Sequence, residues 1–132
     1  MTTTTRVFPA FQSHDPDALL AFLTGALGFV ENTVHRDDDG VVVHAQVDWP
    51  GGGAVMFGRH RPDQQWCREP GTAGVYLVAS DIDAVHERAR AAGADVARGL
   101  EETDYGAREF TVRDPEGNLW SIGTYEGEPP AA

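Results

Sequence analysis

The sequence predicts an α+β fold made of two similar modules, each with the order strand, helix, strand, strand, strand. Three observations predict it. The sequence repeats itself at an offset of half its length, and each half has one amphipathic segment that follows an aspartate. Short runs with the composition of β-strands make up most of the rest. One helix covers one face of such a sheet. We therefore expect the other faces of the two sheets to form a cup-like cavity, with the helices packed on the outside.

Two pairs of matching segments define the repeat. Asp15–Ala18 corresponds to Asp81–Ala84, 66 residues later, and Ala54–Gly58 corresponds to Leu119–Gly123 at an offset of 65. Two matches at nearly one offset indicate an internal repeat. We interpret the chain as a single domain, 1–132, with a first module at 6–65, a second module at 72–125 and a frayed tail at 126–132.

Each helix is predicted from its ends and its apolar spacing. The first begins behind Asp15, a preferred N-cap residue, has Pro16 at its first position and ends at Gly28. The second lies between Asp81 and Gly93. The apolar stripe expected to face the core is Leu19, Phe22, Leu23, Ala26 and Leu27 in the first helix, and Val85, Ala89 and Ala92 in the second.

The remaining runs have the composition of strands and are separated by turn-forming sequences. In the first module the predicted strands are Arg6–Gln12, Phe29–Arg36, Val41–Trp49 and Gly53–Gly58. In the second module they are Gly74–Ala79, Asp95–Leu100, Arg108–Arg113 and Leu119–Tyr125.

Strand side chains alternate between faces, so the large apolar residues predict which side chains contact the helix. On the third strand, Val43, Ala45 and Val47 are expected to be buried, which leaves Val42 for the cup. The candidate ligand-binding side chains in the cup are Phe8, Gln12, His44, Gln46, Met56, Tyr76 and Ser121.

The mixed character of this lining favours a pocket over a solid core. A concave, mainly apolar surface with a few polar groups is typical of small-ligand sites. In a solid core, Gln12, His44 and Gln46 would each need a partner or cost about 1–3 kcal/mol. His44 is a candidate general base or proton sensor, although a hydrogen-bonded structural histidine is the commoner case. No catalytic set can be assembled from the sequence.

Composition argues against several classes of function. Ten Lys and Arg against 21 Asp and Glu give a net charge of −11, which disfavours nucleic-acid binding and favours attraction of cations. No apolar run approaches the roughly 20 residues that span a bilayer, and no secretory leader pattern is recognised. We therefore expect no membrane association and a cytoplasmic location. The single cysteine, Cys67, allows no internal disulfide and is expected to be a structural or incidental thiol rather than a nucleophile.

Two longer stretches resemble a known family. They are Asp15–Phe29 and Tyr105–Ser121, and the second includes the sequence Asp-Pro-Glu-Gly-Asn. Together they resemble the glyoxalase, bleomycin-resistance and extradiol-dioxygenase group, the vicinal oxygen chelate superfamily, over about residues 6–125. The resemblance implies the two-module fold but is weak for activity, because one fold hosts many functions.

The resemblance also bears on metal binding. Metalloenzymes of the family take one ligand from the first and one from the last strand of each module. The matching positions here are Phe8, Met56, Gly74 and Ser121, and none is His, Glu or Gln. Methionine suits soft metals and serine is a poor ligand for the divalent ions concerned. The resemblance therefore implies the metal-free branch, without cofactors, whose members are homodimers with antibiotic ligands at the subunit interface.

The leading hypothesis is a metal-free small-molecule-binding protein that sequesters a cationic or aromatic, antibiotic-like ligand. Trp66 and Tyr105 from loops are expected to stack on the ligand, and Glu109 completes the ligand-binding set. The alternative is a metal-dependent lyase, isomerase or dioxygenase with unconventional ligands among Gln12, His44, Gln46 and Glu109. A third hypothesis is a subunit with a vestigial pocket. Binding is favoured over catalysis, and no catalytic residue is predicted.

Overall fold

The computed structural model describes residues 6–63, 65 and 68–131, and it contains two βαβββ modules. The predicted α+β architecture is confirmed. The first module consists of β1 (Ala10–Ser13), α1 (Pro16–Phe22) with a π-helical turn (Leu23–Leu27), β2 (Val30–Arg36), β3 (Val42–Asp48) and β4 (Ala54–Arg59). The second consists of β5 (Gly74–Val78), α2 (Ile82–Ala91), β6 (Asp95–Glu102), β7 (Arg108–Arg113) and β8 (Leu119–Gly123). Trp66 and Cys67 lie outside the described residues.

Each module forms one four-stranded sheet, in the order β1-β4-β3-β2 or β5-β8-β7-β6. The first strand of each module pairs in parallel with the last, and the other pairs are antiparallel. Each helix packs on one face of its own sheet, and we call the opposite face the open face. The two sheets do not close on each other, so the expected cup is not completed within this chain.

The helix-covered faces of the two sheets share one hydrophobic core. Trp120 on β8 is fully buried, and its ring meets the edges of Phe11 and Phe29 at centroid distances of 5.9 and 5.6 Å. The indole Nε1 of Trp49 donates to the carbonyl oxygen of Val78 at 2.8 Å. The two modules are therefore packed as one unit rather than joined only by a linker.

The two helices differ in how closely they follow the expected repeat. The Asp15 carboxylate accepts a hydrogen bond from the Ala18 N–H at 3.1 Å, whereas Asp81 makes no such side-chain bond at the start of α2. Gly28 ends the first helical segment at a φ of 91°, as expected for a left-handed cap. In α2, the expected core residue Ala92 lies beyond the helix and is exposed, and Ile82 is buried in the core instead.

The register of β3 corrects one expectation. Val42 is fully buried in the core, and Val43 is half-buried, which reverses the predicted assignment. His35 pairs with His44 and Arg36 pairs with Val42, so Val43 is an extra residue opposite β2. Such a bulge shifts the alternation of side chains by one residue on its far side.

The turn between β7 and β8 is organised around the buried carboxylate of Asp114. Its Oδ1 accepts hydrogen bonds from the backbone N–H groups of Glu116, Gly117 and Asn118 at 2.8, 2.9 and 3.0 Å. Its Oδ2 accepts from Asn118 Nδ2 and from Trp120 Nε1, both at 2.8 Å. The Asp-Pro-Glu-Gly-Asn sequence therefore has a structural role, because its polar groups satisfy one another.

Glu116 connects this turn to the first module. Its carboxylate accepts hydrogen bonds from Ser13 Oγ at 2.9 Å and from the backbone N–H groups of His14 and Asp15, both at 3.0 Å. Burial raises the pKa of Glu116, but the bonds from the two N–H groups and the hydroxyl outweigh it and hold the pKa below its ordinary value. The ionised carboxylate thus joins the β7–β8 turn to the start of α1.

Glu116→Gln is expected to lower the free energy of unfolding at neutral pH by about 1–3 kcal/mol, because the amide nitrogen would face N–H donors. The pKa of Glu116 is lower in the folded state, so its stabilisation is present above the ordinary value of 4.5 and is lost as the pH falls through the folded pKa. Urea denaturation measures both effects. The exposed Glu31→Gln serves as the control, and equal stability of the two variants at neutral pH would contradict the prediction.

Candidate functional site

A cavity of about 790 Å³ opens on the open face of the second sheet. Strands β5 and β7, the turn before β7 and the segment after β8 contribute its walls. Because β5 is parallel to β8 and β8 lies between β5 and β7, these parts of the chain meet at one end of the sheet. The lining residues are Tyr76, Val78, Tyr105, Glu109, Tyr125, Glu126, Gly127 and Glu128.

Glu109 is the most buried charged group of this cavity, with 2% of the residue exposed. Its Oε2 accepts hydrogen bonds from the hydroxyls of Tyr76 at 2.8 Å and Tyr105 at 2.6 Å. Its Oε1 accepts from Arg98 Nη2 at 3.1 Å. Both carboxylate oxygens are therefore already hydrogen-bonded by the protein, and these bonds hold the two tyrosine rings in place.

The surroundings of Glu109 determine the charges in the cavity. Burial raises the pKa of Glu109, but the bonds from Tyr105, Tyr76 and Arg98 outweigh it and place the pKa below its ordinary value. Burial, together with the hydrogen bond to Glu109, raises the pKa of Tyr76 to about 12. The same carboxylate raises the pKa of Tyr105. At neutral pH the site therefore combines one buried anion with uncharged tyrosine rings.

Gly123 leaves room for this network. It lies opposite Glu109 in the pairing of β7 with β8. A Cβ atom at Gly123 would overlap the Tyr76 hydroxyl and the Glu109 side chain. A glycine is required here for space, since the Tyr76 hydroxyl reaches Glu109 directly over the Gly123 backbone.

Gly123→Ala is expected to displace Tyr76 from Glu109 and to lower the free energy of unfolding by about 1–3 kcal/mol through overpacking. The pKa of Tyr76 should then fall from about 12 towards its ordinary value of 10.0, which an ultraviolet titration of the tyrosines would detect. The control is Gly25→Ala, because nothing lies within 4 Å of a Cβ atom there. An unchanged titration in Gly123→Ala would contradict the proposed contact.

Several predicted ligand-binding residues meet on the second sheet. Tyr76, Tyr105 and Glu109 line one cavity and are joined by hydrogen bonds. Ser121 lies beside Tyr76 in the strand register but is not among the lining residues, and its Oγ is 2.9 Å from Thr111 Oγ1.

The predicted residues of the first sheet lie apart from this cavity. Gln46 and Met56 are paired neighbours on the open face of the first sheet, and His44 lies opposite Gly58 on the same face; all three named side chains are half-buried. Phe8 precedes β1 and is half-buried rather than part of the strand. The structure therefore places these residues on a separate surface. The predicted loop residue Trp66 lies outside the described residues.

Gln12 has partners that the sequence could not show. It is 3% exposed, its Oε1 accepts a hydrogen bond from the Arg61 N–H at 2.7 Å, and its Nε2 donates to the Arg68 carbonyl at 3.3 Å. Both partners belong to the connection between the modules. The amide of Gln12 thus anchors that connection, and its hydrogen-bonding groups are used by the protein.

The sequence interpretation missed the contribution of the segment after β8. Tyr125 donates its hydroxyl to Glu128 Oε2 at 2.9 Å, and its backbone N–H donates to the Tyr76 hydroxyl at 3.2 Å. Its ring meets that of Tyr105 edge-on, with centroids 5.7 Å apart. The one available signal was composition, because an aromatic residue followed by two glutamates resembles the predicted ligand-binding set more than a solvated tail.

The four positions that correspond to metal ligands in the resembled family do not fit a divalent ion. Phe8 and Gly74 have no ligating side-chain atom, and the Ser121 hydroxyl is paired with Thr111. In the described part of the chain, no three His, Cys, Asp or Glu side chains are placed to hold a metal ion. The residues considered as unconventional metal ligands do not meet at one place either. Gln12, His44 and Gln46 lie on the first sheet, whereas Glu109 lies on the second.

None of the helices between residues 6 and 131 that the structure describes has the length and apolar character needed to cross a bilayer.

Comparison with known proteins gives a consistent family match. A sequence model of the Glyoxalase/Bleomycin resistance protein/Dioxygenase superfamily matches residues 7–122. An uncharacterized protein of Mycobacterium bovis is 32% identical over 130 residues, covering 89% of this chain and 84% of its own length. A relative from Mycobacterium tuberculosis is also 32% identical, with 89% and 75% covered.

Solved structures extend the match to the fold. TioX from Micromonospora sp. ML1 is similar at a TM-score of 0.78 and 32% identity, covering 91% of this chain and 98% of that chain. TnmS3, an antibiotic binding protein from Streptomyces sp. CB03234, is similar at a TM-score of 0.66 and 21% identity, with 92% and 97% covered. The second likeness shows a common fold.

Proposed function

The chain belongs to the glyoxalase/bleomycin resistance protein/dioxygenase superfamily, and from that premise we propose that it binds a small organic ligand, without a metal ion, in the tyrosine-lined cavity of its second sheet. The observation that carries this proposal is the arrangement of Tyr76, Tyr105 and Tyr125 around a cavity of about 790 Å³. Ligand pockets typically measure about 300–1,000 Å³ and are mainly apolar with a few placed polar groups.

The charge of the chain supports a cationic or aromatic ligand. Glu126 and Glu128 line the cavity beside the ionised Glu109, and the whole chain has a net charge of −11. A negative field raises the local concentration of cations and speeds their association. Tyrosine rings add large, rigid surfaces on which an aromatic ligand stacks.

Sequestration of an antibiotic-like compound is the specific form of this proposal. TnmS3 has the same fold and is an antibiotic binding protein, which supports the view that this architecture can hold such a ligand. A cytoplasmic location is part of the proposal and rests on the sequence alone.

A metal-dependent lyase, isomerase or dioxygenase has less support. Its candidate ligands lie on two different sheets, and the amide of Gln12 and the carboxylate of Glu109 already have hydrogen-bonding partners within the protein. No observation on the described residues favours a specific reaction.

We also propose that the protein is a homodimer. The open face of the second sheet exposes Tyr76, Val78 and Leu119, each with 36–44% of its surface accessible. A second copy would cover these apolar side chains and close the cavity. Sedimentation analysis should then give twice the chain mass of 14.3 kDa, and a mass of one chain at micromolar concentration would contradict the dimer.

The binding function is tested by thermal shift and elemental analysis of the purified protein. A ligand present at about 100 times its dissociation constant stabilises by about 2.7 kcal/mol. We expect cationic and aromatic antibiotics to raise the melting temperature, with a smaller shift for Tyr125→Leu, and we expect no stabilisation by Zn, Ni, Mn or Fe. Stoichiometric metal in the purified protein, together with metal-dependent stabilisation, would instead support the enzyme hypothesis.

A further inference from the structure

We propose that the cavity on the second sheet selects a quaternary ammonium group, that is, an organic cation without an N–H donor. This inference rests on the proposed binding function and names the chemical class of its ligand. It depends on three features of the cavity: fixed aromatic rings, a buried carboxylate that already accepts three hydrogen bonds from the protein, and uncompensated negative charge.

The three tyrosine rings are held in position before any ligand binds. The Tyr76 hydroxyl donates to Glu109 and accepts from the Tyr125 N–H, at 2.8 and 3.2 Å. The Tyr105 hydroxyl donates to Glu109 at 2.6 Å, and the Tyr105 ring meets Tyr125 edge-on. A cation near the face of such a ring is attracted by its quadrupole, and fixed rings lose little conformational freedom on binding.

The hydrogen bonds also strengthen the rings as partners for a cation. Each of the three hydroxyls donates to a carboxylate: Tyr76 and Tyr105 to Glu109, and Tyr125 to Glu128. Hydrogen bonds in a network polarise one another, and donation to an anion leaves more electron density on the phenol ring. A cation–π contact with these rings is therefore stronger than with rings whose hydroxyls face water.

The occupied carboxylate explains the preference for a cation without N–H groups. Glu109 is 2% exposed and already accepts from Tyr76, Tyr105 and Arg98. An ammonium placed against the rings therefore has mainly water and the exposed Glu126 and Glu128 as acceptors, and its N–H groups that face the rings have none. A buried N–H donor without a partner is unfavourable. A quaternary ammonium has no such donors and gives up no hydrogen bonds to water when its methyl groups meet the rings.

The local charges leave the site negative despite Arg98. Its guanidinium is shared between Glu109 at 3.1 Å and Glu101 at 3.2 Å, so two carboxylates oppose one positive charge. Glu126 and Glu128 add two further negative charges at the cavity, and among the residues that the structure describes no cation is paired with either of them. Long-range attraction therefore favours any cation, and the rings decide between cations.

Three probes separate the contributions of the charge, the methyl groups and the N–H donors. Choline is a quaternary ammonium alcohol, 3,3-dimethyl-1-butanol is its uncharged analogue of the same shape, and ethanolamine has the same charge with N–H donors. Titration followed by NMR of the tyrosine ring signals gives each affinity. We expect choline to bind at least about fivefold more tightly than either control compound.

Matched variants at Tyr125 locate the effect without disturbing Glu109. Tyr125→Phe keeps an aromatic ring, and the backbone N–H that contacts Tyr76 is unchanged, so the preference for choline should persist. Tyr125→Leu removes the ring and should reduce the preference several-fold. Both variants should melt near the temperature of the original chain, because the Tyr125 side chain is 41% exposed.

The outcomes distinguish this inference from the binding function. Equal affinity for choline and 3,3-dimethyl-1-butanol, equal affinity for choline and ethanolamine, or failure of choline to perturb the tyrosine signals would each overturn selection of a quaternary ammonium. The binding function survives these results if an antibiotic of the thermal-shift panel perturbs the same signals. If no compound of either set does so, both proposals fail.

Discussion

Asp114→Ala is expected to lower the free energy of unfolding by about 3–5 kcal/mol, because removing one partner of a buried, charged hydrogen-bond network leaves the other groups unsatisfied. The Asp114 carboxylate accepts three backbone N–H groups, the Asn118 amide and the Trp120 indole N–H, and alanine would leave all five donors without this acceptor. Since small domains are stable by about 5–15 kcal/mol in total, the urea midpoint should fall steeply.

Two comparison variants make the Asp114 result specific. Asp114→Asn keeps one carbonyl oxygen for the backbone N–H groups but turns an amide N–H₂ towards Asn118 and Trp120, so an intermediate loss is expected. Asp38→Ala changes an exposed aspartate at a turn and should be within about 0.5 kcal/mol of the original chain. If Asp114→Ala matched Asp38→Ala, the structural role of the turn would be refuted.

Trp120→Ala is expected to lower the free energy of unfolding by about 3–5 kcal/mol, the usual range for removing a buried aromatic side chain. Trp120 is fully buried, and its ring contacts Phe11 and Phe29 of the first module. Removal of its ring should therefore weaken both modules, although the residue belongs to the second. Trp120→Phe keeps a ring but loses the indole donor to Asp114, and a smaller loss is expected.

Hydrogen exchange of the backbone amides tests whether the two modules unfold together as one cooperative unit. In Trp120→Ala, the amides of β3 and of β7 should lose protection together. Val96→Ala changes an exposed side chain of β6, away from the open face, and serves as the control. Retained protection in β3 with loss in β7 would show that the modules unfold independently, contrary to the common core.

Part of the candidate site could be predicted because its residues lie on regular strands or in a short turn beside one. Alternation along β5 placed Tyr76 opposite the core residue Leu77, and the structure confirms that difference in exposure. On β7, Glu109 and Phe110 likewise lie on opposite faces of the sheet, although here both residues are buried. The exchange of Val42 and Val43 shows where this reasoning fails, because a single extra residue in β3 reverses the faces and has no sequence signature.

By itself, the sequence determined the two-module α+β fold, since the repeat, the cap at Asp15 and the apolar periodicity are local properties of the chain. The tertiary structure alone decided which polar residues were available to a ligand. Gln12 satisfies backbone groups 49 and 56 residues away, and Tyr125 reaches Tyr76 from a position 49 residues later. Hydrogen bonds over such separations depend on how strands and connections meet in space, and neither composition nor spacing encodes that meeting.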